Sequence, residues 1–347
     1  MSFRVLHVVE SLGGGVLSSV LAMVDSTADL DHHLAVWPRR SHADTGDRLA
    51  AFASTTTLSS SPGLAMRDLR DLVRTLRPDQ VHAHSSYAGI LVRAVDFGVD
   101  VAYSPHCFAF ERRDLSPTTR TIVRGVERGL VSRTAVLVAC SPHEARLAAD
   151  LGHRNVVTVP NRAGSLPAVR ARYSDLFRVV TVGRIAPQKD WRYLLAVKGY
   201  LEEVLRRRVA WQWLGGGDDA AERTLREHGV DVAGWLPRGE VVRRLGDAQA
   251  YVHTAAWEAA PISLLEASAV GLPIAARSIA TLESLDVPGL AVTAADLAAR
   301  IADLHSPALW AKEQERSLRF DAAHTAARQR EQLHTAYRHA HAELALR

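Results

Sequence analysis

Hydrophobic positions along the chain follow two alternating rhythms. Short apolar or β-branched runs at Arg4–Val9, Leu34–Trp37, Gln80–Ala83, Val101–Ser104 and Ala135–Cys140 read as strands. Between them, apolar residues recur three and four apart: from about Val16, across Leu64–Leu76 (Leu64, Leu69, Leu72, Val73, Leu76), across Gly89–Phe97 and across Pro117–Arg133. These stretches predict helices, and Pro78 ends the second of them. Strands alternating with helices predict right-handed βαβ units and a parallel sheet. Residues 160–176, with Pro160, Gly164, Ser165 and Pro167, are poor in apolar positions and read as a linker. The alternation then restarts at Phe177–Val182, a run of the kind buried on both faces of a sheet. Trp211–Leu214, Ala250–His253 and Pro273–Ala276 repeat it, each followed by a helical segment. From about Thr293 the pattern is helical to the end.

The expected architecture is therefore α/β, with two Rossmann-like parallel-sheet domains. A length of 347 residues suits two hydrophobic cores. The expected boundaries are 1–165, 175–320 and a closing helical segment, 321–347, packed back on the first domain. In such folds ligands bind beyond the carboxyl ends of the strands, here where the two domains would face each other across a cleft.

Charge narrows the partners. Lysine and arginine total 42 and the acids 38, a net charge of +4, which is too thin for a nucleic-acid footprint. It suits anionic small molecules or an anionic lipid surface. Only Lys189, Lys198 and Lys312 are lysines. Two distant cysteines, Cys107 and Cys140, argue against a disulfide framework or a zinc knuckle. The first apolar run stops at Glu10, too short for a signal peptide, and no run reaches 18 apolar residues, so a cytoplasmic protein is expected.

The residues just after strands carry the chemistry. Gly13, Gly14 and Gly15 would let backbone amides approach a phosphate at a helix start, or form a flexible turn. His82 and His84 fall on one side of a strand. With His106 as a third ligand they could hold a metal, but no carboxylate follows a strand in the right place. Histidines hydrogen-bonded at the sheet's edge are the better reading, with no metal. His106, fixed by Pro105, could donate to a substrate oxygen. Arg184 and Lys189, on one strand-to-helix loop before a helix near Asp190, form a diphosphate clamp or a solvated loop. Glu258 and Glu266 flank the small-residue loop Ala259-Ala260-Pro261 and the helix start near Ile262. There, amides could hold phosphate while the carboxylates accept from hydroxyls; otherwise Glu266 is a surface residue paired with an arginine. Arg120, Arg124 and Arg128, four apart, with Arg112, Arg113 and Arg133, make a basic face for anionic headgroups or a solvated face with Glu127 nearby.

Over nearly its whole length the chain resembles retaining glycosyltransferases of the GT-B fold, family 4 (group 1) type. The likeness rests on Gly13–Gly15, His82–Gly89, Ser104-Pro105-His106, Ser141-Pro142-His143-Glu144, Val159-Pro160-Asn161, Gly183-Arg184 with Lys189, the E-x7-E pair Glu258/Glu266, and Gly271-Leu272-Pro273-Ile274. It implies transfer of a hexose-type sugar from a nucleoside-diphosphate donor, UDP-linked, with no further cofactor. The acceptor would be a glycan, a lipid-linked molecule or a small hydroxyl compound. It also implies roles: Gly183, Arg184 and Lys189 at the diphosphate, Glu258 at the donor sugar and Glu266 at the ribose. His106 would face the transferred sugar, Gly216 and Trp235 would lie near the base, and Ala260, Pro261 and Ile262 would bind phosphate. His106, Glu258, Arg184 and Lys189 would be catalytic. Polysaccharide assembly follows from the same likeness, and the basic face would allow peripheral contact with the inner face of the cell membrane. The family has glycine where this chain has Ala259, and a glycine pair where it reads Arg277–Glu283. A nucleotide-sugar epimerase of the same fold, or a non-catalytic nucleotide-sugar-binding protein, are the alternatives.

Overall fold

The computed structural model describes residues 2–10, 12–38 and 46–344. The helical expectation for 345–347 lies outside them. The chain divides into two compact units, residues 1–164 with 325–347, and residues 165–324.

The first unit contains β1 (Arg4–Val9), α1 (Gly14–Ser26), β2 (Asp31–Val36), β3 (Ser54–Thr57), α2 (Pro62–Leu76), β4 (Gln80–His84) and α3 (Ser86–Arg93). It continues through β5 (Asp100–Ser104), α4 (Pro117–Gly129), β6 (Val136–Ala139), α5 (Pro142–Leu151) and β7 (Val156–Thr158). The second has β8 (Arg178–Val182), α6 (Trp191–Leu205), β9 (Ala210–Leu214), α7 (Asp219–Glu227), β10 (Val230–Val232), α8 (Arg238–Gly246) and β11 (Ala250–His253). It closes with α9 (Ile262–Ala269), β12 (Ile274–Arg277), α10 (Ala280–Ser284), β13 (Leu290–Ala291), α11 (Ala294–Asp303) and α12 (Pro307–Ala322). The last helix, α13 (Ala326–Leu344), belongs to the first unit and packs on α1 and on β5, β6 and β7.

Both sheets are wholly parallel, ordered β3-β2-β1-β4-β5-β6-β7 and β10-β9-β8-β11-β12-β13. Each is a doubly wound Rossmann-like sheet. Its strand order reverses between β1 and β4 in one domain and between β8 and β11 in the other, and the carboxyl ends of those pairs are where ligands bind in such sheets.

Strand alternation sorts the first sheet's side chains onto two faces. Leu6, Val8, Val81, Ala83, Val101 and Tyr103 pack with Leu69, Val73, Leu91 and Val92 of α2 and α3. Val5, Ala102, Val136 and Val138 meet Met23 of α1 and Leu333, Ala336 and Tyr337 of α13 on the other. Each fully buried valine, leucine or methionine side chain among them contributes about 1.5–3 kcal/mol.

Several element bounds differ from the sequence pattern. Gly14 and Gly15 are the first turn of α1 and not a separate loop. The helix expected at Gly89–Phe97 is Ser86–Arg93, and the one expected to reach Arg133 ends at Gly129, before a 3-10 turn at Val131–Arg133. β3, β7, β10 and β13 were not anticipated. They have two to four residues, and β3, of sequence Ser-Thr-Thr-Thr, is mostly exposed at an edge.

Candidate functional site

In the second domain the loops after β8, β9 and β11 converge by backbone contact. Ile185 N–H donates to the Gly216 carbonyl (3.0 Å) and Asp218 N–H to the Ile185 carbonyl (3.1 Å). A Cβ at Gly215 would lie 2.2 Å from the Gly183 carbonyl oxygen, and one at Gly217 would lie 2.2 Å from that of Ile185. Gly183 and Gly215 also take φ values of 141° and 139°, which other residues rarely adopt. Glycine is required here because backbone carbonyls of the β8 loop occupy the space where side chains at 215 and 217 would stand.

Lys189 lies across this floor: a Cβ on Gly183 would sit 2.6 Å from its Cε. Its Nζ donates to Oε1 of Glu258 at 2.6 Å, both side chains being largely buried. Three further bonds hold the β8 and β11 loops together. Thr254 Oγ1 donates to the Lys189 carbonyl (2.7 Å), Ala256 N–H to the Gln188 carbonyl (2.9 Å) and Gln188 Nε2 to the Trp257 carbonyl (3.1 Å). Asp190 caps α6 by accepting from Tyr193 N–H, and receives Arg277 Nη1 at 2.8 Å. Arg184 is exposed on the same loop.

α9 begins at Ile262 after Ala260 and Pro261, so its first amides precede the helical bonding pattern. Glu266 stands one turn in, buried, and accepts from Arg238 Nε at 2.8 Å. The expected arginine partner is there, but Glu266 is not a surface residue. Each glutamate is thus engaged by a cation; for Glu266 that was one of the two readings of the sequence, and for Glu258 only hydroxyl partners were expected. Trp235 is 69% exposed. A Cβ at Gly216 would meet its Nε1 at 3.0 Å, so the two sequence-predicted positions are adjacent.

His253, which the sequence pattern did not single out, is fully buried beside this pair, its Nε2 3.6 Å from Glu258 Oε1. Burial first, and then Lys189, holds it well below the ordinary imidazole range. Thr281 Oγ1 donates to the Glu258 carbonyl at 2.7 Å, and Ser278 hydrogen-bonds Glu283. These bonds occupy the stretch that departs from the family's glycine pair.

In the first domain, Gly13–Gly15 lie at the β1–α1 junction, with Gly14 at φ 66°. His82 is hydrogen-bonded as expected, but at the centre of the sheet and not its edge: its nitrogens meet Tyr337 Oη (3.0 Å) and Ser104 Oγ (2.9 Å). His7, His82 and His84 bring ring nitrogens within 4.8 Å of one another, a spacing a metal ion could use. Both nitrogens of His82 and of His7 already have hydrogen-bond partners. His106 follows β5 with φ 51°, and Cys107 with φ 88°. Two consecutive residues in the left-handed region store strain that the surroundings must hold. Glu144 does so, accepting from Cys107 N–H at 2.8 Å and Cys140 N–H at 2.9 Å. Nothing in the Ser141-Pro142-His143-Glu144 sequence signals this role, because both amides that Glu144 receives lie on other segments or before the helix.

The arginine face is less uniform than its spacing suggests. Arg120 donates to the Phe110 carbonyl at 2.7 Å, Arg124 lies over the Phe110 ring, and Arg112 pairs with Asp114. Glu127 is not on that surface. It is buried, bonded to Arg93 at 2.7 Å and to Tyr103 Oη at 2.9 Å.

Two doubly wound domains, with polar and glycine-rich loops at the switch point of each sheet, define the class. The glycosyl transferase 4-like domain model matches residues 14–162 and the glycosyl transferases group 1 model residues 177–306. The chain belongs to the group 1 glycosyltransferases. It is 24% identical to an uncharacterized 41.2 kDa protein in the cps region of Klebsiella pneumoniae, over 90% of this chain and 92% of that one. Among solved structures it is similar to a sucrose-phosphate synthase from Thermosynechococcus elongatus (TM-score 0.78, 15% identity, 98% of this chain and 100% of that one). It is also similar to Anabaena HepE in complex with UDP and glucose (TM-score 0.74, 14% identity, 99% and 100%). No helix among the described residues is long and apolar enough to cross a membrane.

Proposed function

We propose that this chain is a retaining glycosyltransferase that moves a hexose-type sugar from a UDP-linked donor to a hydroxyl of a glycan or lipid-linked acceptor. The second domain would hold the donor and the first the acceptor. The observation that carries this reading is the Lys189–Glu258 pair, mounted on the glycine floor beside the start of α9.

Departure of a nucleoside diphosphate develops negative charge on the β-phosphate, which fixed cations and amides stabilise. Lys189, Arg184 and the first amides of α9 would supply that stabilisation without a metal. Glu258 orients the Lys189 ammonium, and its carboxylate would meet the donor sugar. Both glutamates are engaged by cations, which favours front-face attack through an oxocarbenium-like state over a covalent glycosyl-carboxylate. HepE was solved with UDP and glucose, and the Klebsiella relative lies in a cps region; both favour a UDP donor and polysaccharide assembly. On α4, Ile122 (62% exposed) and Val126 stand among the exposed Arg124 and Arg128, which suits contact with an anionic membrane face.

A thermal-shift panel of UDP, ADP, GDP and dTDP tests the donor assignment, since a ligand of the native state raises its melting point. UDP is expected to stabilise the protein and Lys189→Ala to weaken the effect. No shift with any of the four would overturn the reading. Release of an epimerised sugar without acceptor would replace it with epimerase chemistry.

A further inference from the structure

Four histidines form a hydrogen-bonded line through the first domain, on the face of the sheet beneath α1 and α13. His32 on β2 stands opposite Val5, and His7 on β1 stands opposite His82. The bonds therefore run diagonally across three strands. His106 Nε2 meets His84 Nδ1 at 3.0 Å, His84 Nε2 meets His7 Nδ1 at 2.9 Å, and His7 Nε2 meets His32 Nδ1 at 3.0 Å. His32 Nε2 ends the line, 3.0 Å from both the carbonyl and the hydroxyl oxygen of Thr27. His7, His84 and His32 are buried, and the three ring pairs are tilted by only 23–33°.

We propose that this line is a one-way tautomer lock whose working end is His106. The Thr27 carbonyl can only accept. The Thr27 hydroxyl gives its proton to the Met23 carbonyl (2.7 Å), so it too can only accept from His32. His32 must therefore carry its proton on Nε2. A neutral imidazole has one N–H and one lone pair. His32 Nδ1 is then an acceptor, which places the proton of His7 on Nε2. The same step repeats at His84 and at His106. Burial keeps the rings neutral, His106 being pushed down to about 4. His106 is left with an unprotonated Nδ1, which has no hydrogen-bond partner among the described residues. The line ends on a peptide carbonyl, which takes up no proton, so it orients and does not conduct. Glu144, through Cys107 N–H, fixes the backbone of the same turn.

His106 thus presents an acceptor, the reverse of the donor role expected from sequence. The group it meets must bring a hydrogen, as a hydroxyl does; a phosphate or carboxylate oxygen would be repelled. His7, His32 and His84 are positioning residues. That His106 meets a sugar hydroxyl rests on the transferase reading; the lock itself does not.

The test is 15N-histidine NMR on the full chain, reading which ring nitrogen bears hydrogen, with His106 assigned by loss of its signal in His106→Gln. All four rings are expected as Nε2–H tautomers. His32→Phe should leave His7, His84 and His106 as tautomer mixtures while His253 is unchanged. Apparent affinity for UDP-glucose should then fall about twofold, with the competent fraction. His32→Gln, able to accept and donate, should restore the single tautomer. An Nδ1–H signal for His106 in the unmodified protein would overturn the lock, as would an unchanged His106 in folded His32→Phe. If His32→Phe does not fold, the spectrum of the unmodified protein decides. Loss of UDP binding with the lock intact would instead break only the transferase reading.

Discussion

Both domains arrange their sheets around one central pair of strands, β1 and β4 in the first, β8 and β11 in the second, yet they satisfy the polar groups near that pair in opposite ways. The first uses neutral rings bonded to one another under two helices. The second uses opposite charges on loops, Lys189 against Glu258 and Arg238 against Glu266. A buried neutral ring tolerates a dry interior as long as it stays neutral. An ion pair offsets its desolvation only through close geometry and further hydrogen bonds, or by keeping partial access to solvent. The first arrangement gives directional hydrogen bonds, and the second gives localised charge, which the proposed diphosphate donor would need.

Acid should break this contrast most strongly. Burial pushes His82 down to about 3 and His106 to about 4, and lowers His7 and His84 as well. The unfolded chain takes up these protons near pH 6.5, so it binds more protons than the native state below that pH. Stability is therefore present above about 6.5 and lost as pH falls towards 4. Each ring contributes about 1.4 kcal/mol per pH unit in that window. Hydrogen-exchange protection factors between pH 7.5 and 4.5 should fall sooner for β1 and β4 than for β8 and β11, whose central pair holds only His253. Equal losses in both would dissolve the comparison.

The next effect concerns a charge pair buried in the first domain on the opposite face of its sheet, Arg93 with Glu127. Glu127→Ala leaves an arginine buried without its partner and should cost about 3–5 kcal/mol. The urea midpoint measures it; a change under 1 kcal/mol would show that the pair is idle. In the second domain, Lys189→Ala should lower kcat/KM about 10- to 150-fold, the loss expected for one charged hydrogen bond, with a small change in melting point. Activity like that of the unmodified protein would remove Lys189 from the site. Thr281→Val, which frees the Glu258 carbonyl, should cost about 1 kcal/mol in stability by chemical denaturation. An unchanged midpoint would mean that the loop is held by its other bonds.

The sequence reveals most where burial and chain chemistry agree. β1 and β11 match the apolar runs that predict them, and α9 starts at Ile262 as its small-residue loop suggests. Edge strands such as β3 were hidden because an exposed strand of serine and threonine has no hydrophobic period. His82 and His84 could be placed on one face from their spacing. His7 and His32 could not be added, since cross-strand register is a tertiary fact. The same limit hid Arg238, 28 residues from Glu266, and Thr281, 23 from Glu258.

The glycine floor under Lys189 has a consequence for redesign. Carbonyl oxygens already fill the positions where side chains at 215 and 217 would grow, so those sites offer no room for variation. A library meant to test the proposed nucleotide preference has its freedom at Trp235, whose side chain is exposed beside Gly216, while the peptide beneath keeps its shape.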